Sequence, residues 1–122
     1  MSYKKLDIYD LASTLFLEVH PKTLQLPKHE LYELGSQLRR SAHSIVSNIV
    51  EGYVRRRYKN EFIRFLVFAH ASNDETLVHL QSILKLYPEH HEVFQKLTDE
   101  YNVLGSKINK YIQYVEKHWL TP

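Results

Sequence analysis

Cysteine is absent from the 122 residues of the chain. That absence excludes disulfides, thiolate zinc sites and a cysteine nucleophile, and it suits a reducing cytosol. Glycine and proline are scarce, with 3 and 4 residues, too few for a loop-rich or β-sandwich domain. No apolar run approaches the roughly 18 residues that span a bilayer. The opening Met1-Ser-Tyr-Lys-Lys-Leu-Asp7 lacks the apolar stretch of a signal peptide. A cytoplasmic protein with no membrane partner is therefore expected. Charge of one sign is also in short supply: the formal excess is +2, compatible with nucleic acid without arguing for it.

Motifs that carry chemistry are missing too. The chain has no Gly-rich phosphate loop and no Gly-x-Ser-x-Gly elbow, and Ser82-Ile-Leu-Lys85 matches Ser-x-x-Lys without the companion motifs of that enzyme class. The 8 histidines form no Glu-x-x-His or His-x-x-x-His pair, the spacings that put metal ligands on one helix face. His90 and His91 are adjacent and cannot share such a face. The expectation is a non-enzymatic protein with no catalytic residue, cofactor, metal or small-molecule substrate.

What is present is helical periodicity. At this length about two thirds of the unfolded surface can be buried in one domain, taken as residues 1–122. Leu6, Ile8, Leu11, Ala12, Leu15, Phe16 and Val19 predict a first helix from about Asp7 towards His20. Pro21 and Pro27 bracket a link. A second helix is expected from Pro27 or Lys28 to about Arg55. The third carries Phe62, Phe65, Leu66, Ala69, Leu77, Leu80, Ile83 and Leu84 and stops near Tyr87-Pro88. In the fourth, Phe94, Leu97, Tyr101, Leu104, Ile108, Tyr111 and Val115 alternate spacings of three and four, the seam of a bundle. Short connections then predict an all-α, antiparallel up-down-up-down four-helix bundle. Val46, Val50, Tyr53, Val54, Ile63, Val67 and Phe68 lie outside the primary stripes and favour self-association over the competing reading, a wide core face with ordinary scattered exposed apolar atoms.

Beside the apolar stripe of the second helix runs a polar one: Gln37, Arg40, Ser41, Ser44, Asn48 and Glu51. At about 100° per residue these lie along one edge of the buried face. Placing the turn at Arg56 or Arg57 sets Arg40 against Glu75 or Asp74, Ser44 against Ala69 and Asn48 against Phe65. An inter-helix ion pair from Arg40, close approach at Ser44 and a hydrogen bond from Asn48 follow as expectations, the alternative being a ligand or partner site at the seam. Glu51 and Arg55 read as an exposed helical pair, and Gly52 as close packing or the start of termination.

The segment from Tyr53 to Arg64 gathers Arg55, Arg56, Arg57, Lys59 and Arg64 around Tyr53, Tyr58 and Phe62. Arginines can contact phosphates while aromatic rings stack on unpaired bases, so Arg55, Arg56, Arg57, Tyr58, Lys59 and Arg64 are the candidate RNA- or DNA-binding residues. The competing reading is a solvated turn whose cations answer a helix C-terminus.

Pro27-Lys-His-Glu30-Leu-Tyr-Glu-Leu34 followed by the motif from Gln37 to Gly52 resembles the signature of the bacterial four-helix bundle proteins encoded within 23S rRNA intervening sequences. Thr23, Phe62, Phe65, Leu66, Ala69, Ser72 and Glu75 fall where that pattern expects them. The usual Gly-Ser-Leu of that family's third helix is Ala71-Ser72-Asn73 here. The resemblance implies a four-helix bundle, a ring-like homopentamer and no known catalytic activity. A related group, the accessory variability determinant proteins of diversity-generating retroelements, binds nucleic acid and a reverse transcriptase through basic surfaces. Two readings stand: a nucleic-acid or ribonucleoprotein-associated module, and a protein-interaction bundle with no nucleic-acid role.

Overall fold

The computed structural model describes residues 2–119, and all regular structure among them is helical. Four helices, α1 (Asp7–Thr23), α2 (Leu34–Val54), α3 (Lys59–Leu86) and α4 (His91–His118), are joined by short turns. Single 3-10 turns at Tyr3–Lys5, Lys28–Leu31 and Pro88–His90 precede α1, α2 and α4. Each helix packs antiparallel to the next, and α4 closes the bundle against α1. This is the expected up-down-up-down arrangement.

The core is the set of stripes that the periodicity marked. Leu15 and Val19 of α1, Leu38, Ala42, Ile45 and Ile49 of α2, Phe62, Leu66, Ala69, Leu80 and Ile83 of α3 are all fully buried. In α4, Phe94, Leu97, Tyr101, Leu104, Ile108 and Val115 follow suit, and Tyr111 is half-buried. At 25 cal/mol or so per Å² of apolar surface removed from water, these stripes supply the main drive for folding.

Two boundaries and one stretch of the core differ from expectation. Pro21 lies inside the last turn of α1 rather than in a link. The helical bond it cannot donate belongs to the carbonyl of Leu17, a residue 70% exposed, where water can replace it. Thr23 closes the helix by donating from Oγ1 to the His20 carbonyl at 2.8 Å. The second helix begins at Leu34, not near Pro27, because Glu30 turns inward. Its carboxylate, 5% exposed, accepts from the Leu34 backbone N–H at 3.3 Å and from the Tyr87 hydroxyl. The chain makes a tight corner there that a continuous helix could not make. Phe65, Leu77 and Leu84 are only half-buried, and between Ala69 and Leu80 the buried stripe of α3 is made by the polar Asn73 and Thr76, both at 0% exposure.

Candidate nucleic-acid interface

The polar edge of α2 does face α3, with a different register. Ser44 Oγ meets Ser72 Oγ at 2.8 Å, and the Thr76 hydroxyl reaches Ser41 Oγ at 2.8 Å. Asn48 donates from Nδ2 to the Ser44 carbonyl at 2.9 Å and to its Oγ at 3.1 Å, so Asn48, Ser44 and Ser72 form one hydrogen-bonded run. Ser44 therefore pairs nearly one turn beyond Ala69. The cause is the lean of helical side chains towards the N-terminus. In an antiparallel pair the two leans add, and each contact joins residues further from the turn than their Cα heights suggest. The expected ion pair is not made: among the described residues no salt bridge joins Arg40 to Glu75 or Asp74. Gln37, Arg40, Glu75 and His79 instead line a polar groove of about 340 Å³. Asp74 faces His70 at 3.7 Å.

At the opposite end of α2 the predicted basic residues are brought together, and most of them have local work. Arg55 pairs with Glu51, as expected, and lies over the Phe65 ring at 4.7 Å. Arg56 donates to the Tyr53 carbonyl at 3.0 Å and stacks on the Tyr53 ring at 4.1 Å. Its own carbonyl accepts from Trp119 Nε1 at 2.9 Å. Lys59 crosses to α4 and donates to the Glu116 carbonyl at 2.7 Å, a cation at a helix C-terminus. Arg64 sits 3.3 Å from Glu61 and flanks Phe65 and Phe68. Arg57 is exposed, with the Tyr58 ring 5.9 Å away and no ion-pair partner among the described residues. Gly52 packs as expected, since a Cβ there would stand 3.1 Å from Phe65 Cβ.

Charge is distributed unevenly along the bundle, which the order of residues in the sequence does not reveal. The end that holds the turn between α2 and α3 also holds the start of α1 and the last half of α4. It collects Lys4, Lys5, Arg55, Arg56, Arg57, Lys59, Arg64, Lys107, Lys110 and Lys117 against Asp7, Asp10, Glu51, Glu61 and Glu116. The other half carries Lys22, Lys28, Arg39, Arg40, Lys85 and Lys96 against nine carboxylates, from Glu18 to Glu100. A chain with formal charge +2 is thus strongly cationic at one end and anionic at the other. No single segment signals this; it emerges when four helices are folded side by side. Among the described residues, no three His, Asp or Glu side chains converge as a metal site. No helix there is long and apolar enough to cross a membrane.

No curated protein matches the chain. Residues 4–110 match the family model described as 23S rRNA-intervening sequence protein.

Proposed function

The chain belongs to the 23S rRNA-intervening sequence protein family, and on that premise we propose that it is a non-enzymatic, homo-oligomeric bundle that binds RNA or DNA through its cationic end. The concentration of ten Lys and Arg side chains at one end of the bundle carries this reading. Cations that neutralise phosphates release condensed counterions, which gives sequence-independent affinity. Exposed Tyr58 and Phe68, at 62% and 40%, add rings on which bases can stack. Self-association, pentameric by the family resemblance, uses the apolar side chains left outside the core, among them Val54 at 58% and Val67 at 46% exposure. Parallel packing of copies would bring weak sites onto one face and raise their joint affinity.

The test is fluorescence anisotropy of a labelled RNA, with the assembly's mass followed by light scattering. Affinity should fall at least tenfold between about 50 and 200 mM salt. Replacing Arg57, Lys110 and Lys117 together by Gln should weaken it further without altering the fold, since none of the three has an ion-pair partner among the described residues. Absence of binding at low salt overturns the reading. The exposed apolar side chains favour, as the second reading, a protein-interaction bundle, for which capture of a partner must survive nuclease.

A further inference from the structure

α4 carries a run of aromatic side chains that the core does not consume. Lys107, Tyr111, Tyr114 and His118 follow one another at spacings of four, three and four and so share one helix face. The Tyr111 and Tyr114 rings stack at 20° with centroids 5.9 Å apart, and His118 extends the stack at 5.4 Å and 39°. Phe62 holds Tyr111 from the core side, edge-on at 5.9 Å, whereas Tyr114 is 49% exposed. Across from this ladder α1 begins, and Leu6 and Ile8, at 6% and 4% exposure, give an apolar floor. The hollow between them has a volume of about 290 Å³, with Lys107 and Lys110 among its lining residues. That volume is at the lower limit of small-ligand clefts, suited to one flat ring. Asp7 also lines the hollow, but its carboxylate is answered by Lys107 at 2.8 Å. Lys110 has no such partner among the described residues.

We propose that this hollow receives the unpaired base of a nucleotide against Tyr114, with the adjoining phosphate on Lys110. The inference rests on the nucleic-acid reading above and narrows it: the preferred ligand is a single strand, because a duplex keeps its bases stacked inside. Apolar walls and an aromatic ladder recognise the ring face that every base shares, and an unpaired lysine supplies the point charge for the phosphate. The same chemistry would fit a free mononucleotide, so the experiment separates the two sources.

The probes are a labelled oligoadenylate of about 12 nucleotides, a duplex of the same length, and AMP as ligand or competitor, all at about 50 mM salt. The variants are Tyr114→Ala, Tyr114→Phe and Lys110→Gln in the full chain, each checked for an unchanged melting curve. Tyr114→Ala should weaken the single strand roughly tenfold, within the range of base–aromatic stacking, and leave the duplex unchanged. Tyr114→Phe, which keeps the ring, should restore binding, and Lys110→Gln should weaken it. AMP that binds as tightly as the strand and depends on Tyr114 supports the hollow and assigns it to a free nucleotide. Equal loss for strand and duplex overturns the hollow while the basic-end reading stands. If neither polymer binds, the basic-end reading fails, and AMP binding that depends on Tyr114 keeps the hollow while its absence overturns it.

Discussion

Asn73 is a polar residue at 0% exposure in a stripe that it shares with Thr76 and with the apolar Phe62, Leu66, Ala69, Leu80 and Ile83. Its Nδ2 donates to the Tyr101 carbonyl at 3.0 Å, and a Cβ on Gly105 would stand only 2.7 Å from that nitrogen. Asn73 and Gly105 are therefore one unit. In an isolated helix Gly105→Ala would gain about 1 kcal/mol. Here it should destabilise, because the amide must leave its hydrogen bond to make room. In an Asn73→Ala background the same change should become stabilising. Urea denaturation of the four proteins checks this, and the same sign in both backgrounds refutes it. Tyrosines give a second prediction. The hydrogen bond to Glu30 pushes the Tyr87 hydroxyl from 10.0 up to about 12, and burial pushes Tyr111 up to about 12 and Tyr101 upward as well. An acid with a raised folded pKa keeps its proton where the unfolded chain loses it. Stability is therefore whole below pH 10 and falls as pH rises from 10 towards 12. Melting temperature followed across that window should drop, and Tyr87→Phe should make the drop shallower. A flat profile to pH 12 would count against the native contacts of all three.

Among the elements, the contact between α2 and α3 separates what a sequence tells from what it withholds. The apolar periods are legible because burial selects them residue by residue, and every member of the heptad run in α4 turned inwards except Tyr111, which stays half-buried. Register is less legible, since it depends on the length of the corner at Arg55 to Tyr58 and on two side-chain leans acting together. The inward turn of Glu30 was hidden because its partner, Tyr87, is 57 residues away. Asn73 was hidden because an amide on an apolar stripe is invisible without Gly105 opposite it. In the candidate site, the arginines of the turn were legible as a local cluster. Lys110, Tyr111 and Tyr114 were not, because a regular seam hides what its outer face does. The corrected register predicts which seam residues matter. Thr76→Val should cost about 1 kcal/mol, the usual net worth of a hydrogen bond, because the Thr76 hydroxyl meets Ser41 Oγ and the Ser72 carbonyl, each at 2.8 Å. Arg40→Leu should stay within about 0.5 kcal/mol, as exposed substitutions do. Thermal or urea unfolding of the two variants tells them apart, and equal costs would restore the ion-pair register.

For the whole molecule, the separation of charge along the bundle axis is a stronger statement about partners than net charge is. It predicts that position, not number, of cations governs nucleic-acid affinity. Replacing Lys28, Lys85 and Lys96 by Gln, at the anionic end, should leave the salt dependence of RNA binding as it is. The same number of changes at Arg57, Lys110 and Lys117 should flatten it by about 0.7 in logarithmic slope per lost phosphate contact for a single strand. Equal flattening from either end would remove the end-specific site. The cationic end also contains a competition. α4 is finished by its neighbours, with the Lys59 ammonium on the Glu116 carbonyl and the Trp119 indole on the Arg56 carbonyl. A phosphate that recruits Lys59 takes that ammonium from the helix, so occupancy of the site and fraying of the last turn of α4 rise together. The affinity such a site displays is what remains after the helix end has been loosened. A chain whose α4 terminus is already frayed would hold its ligand more tightly and its fold less well.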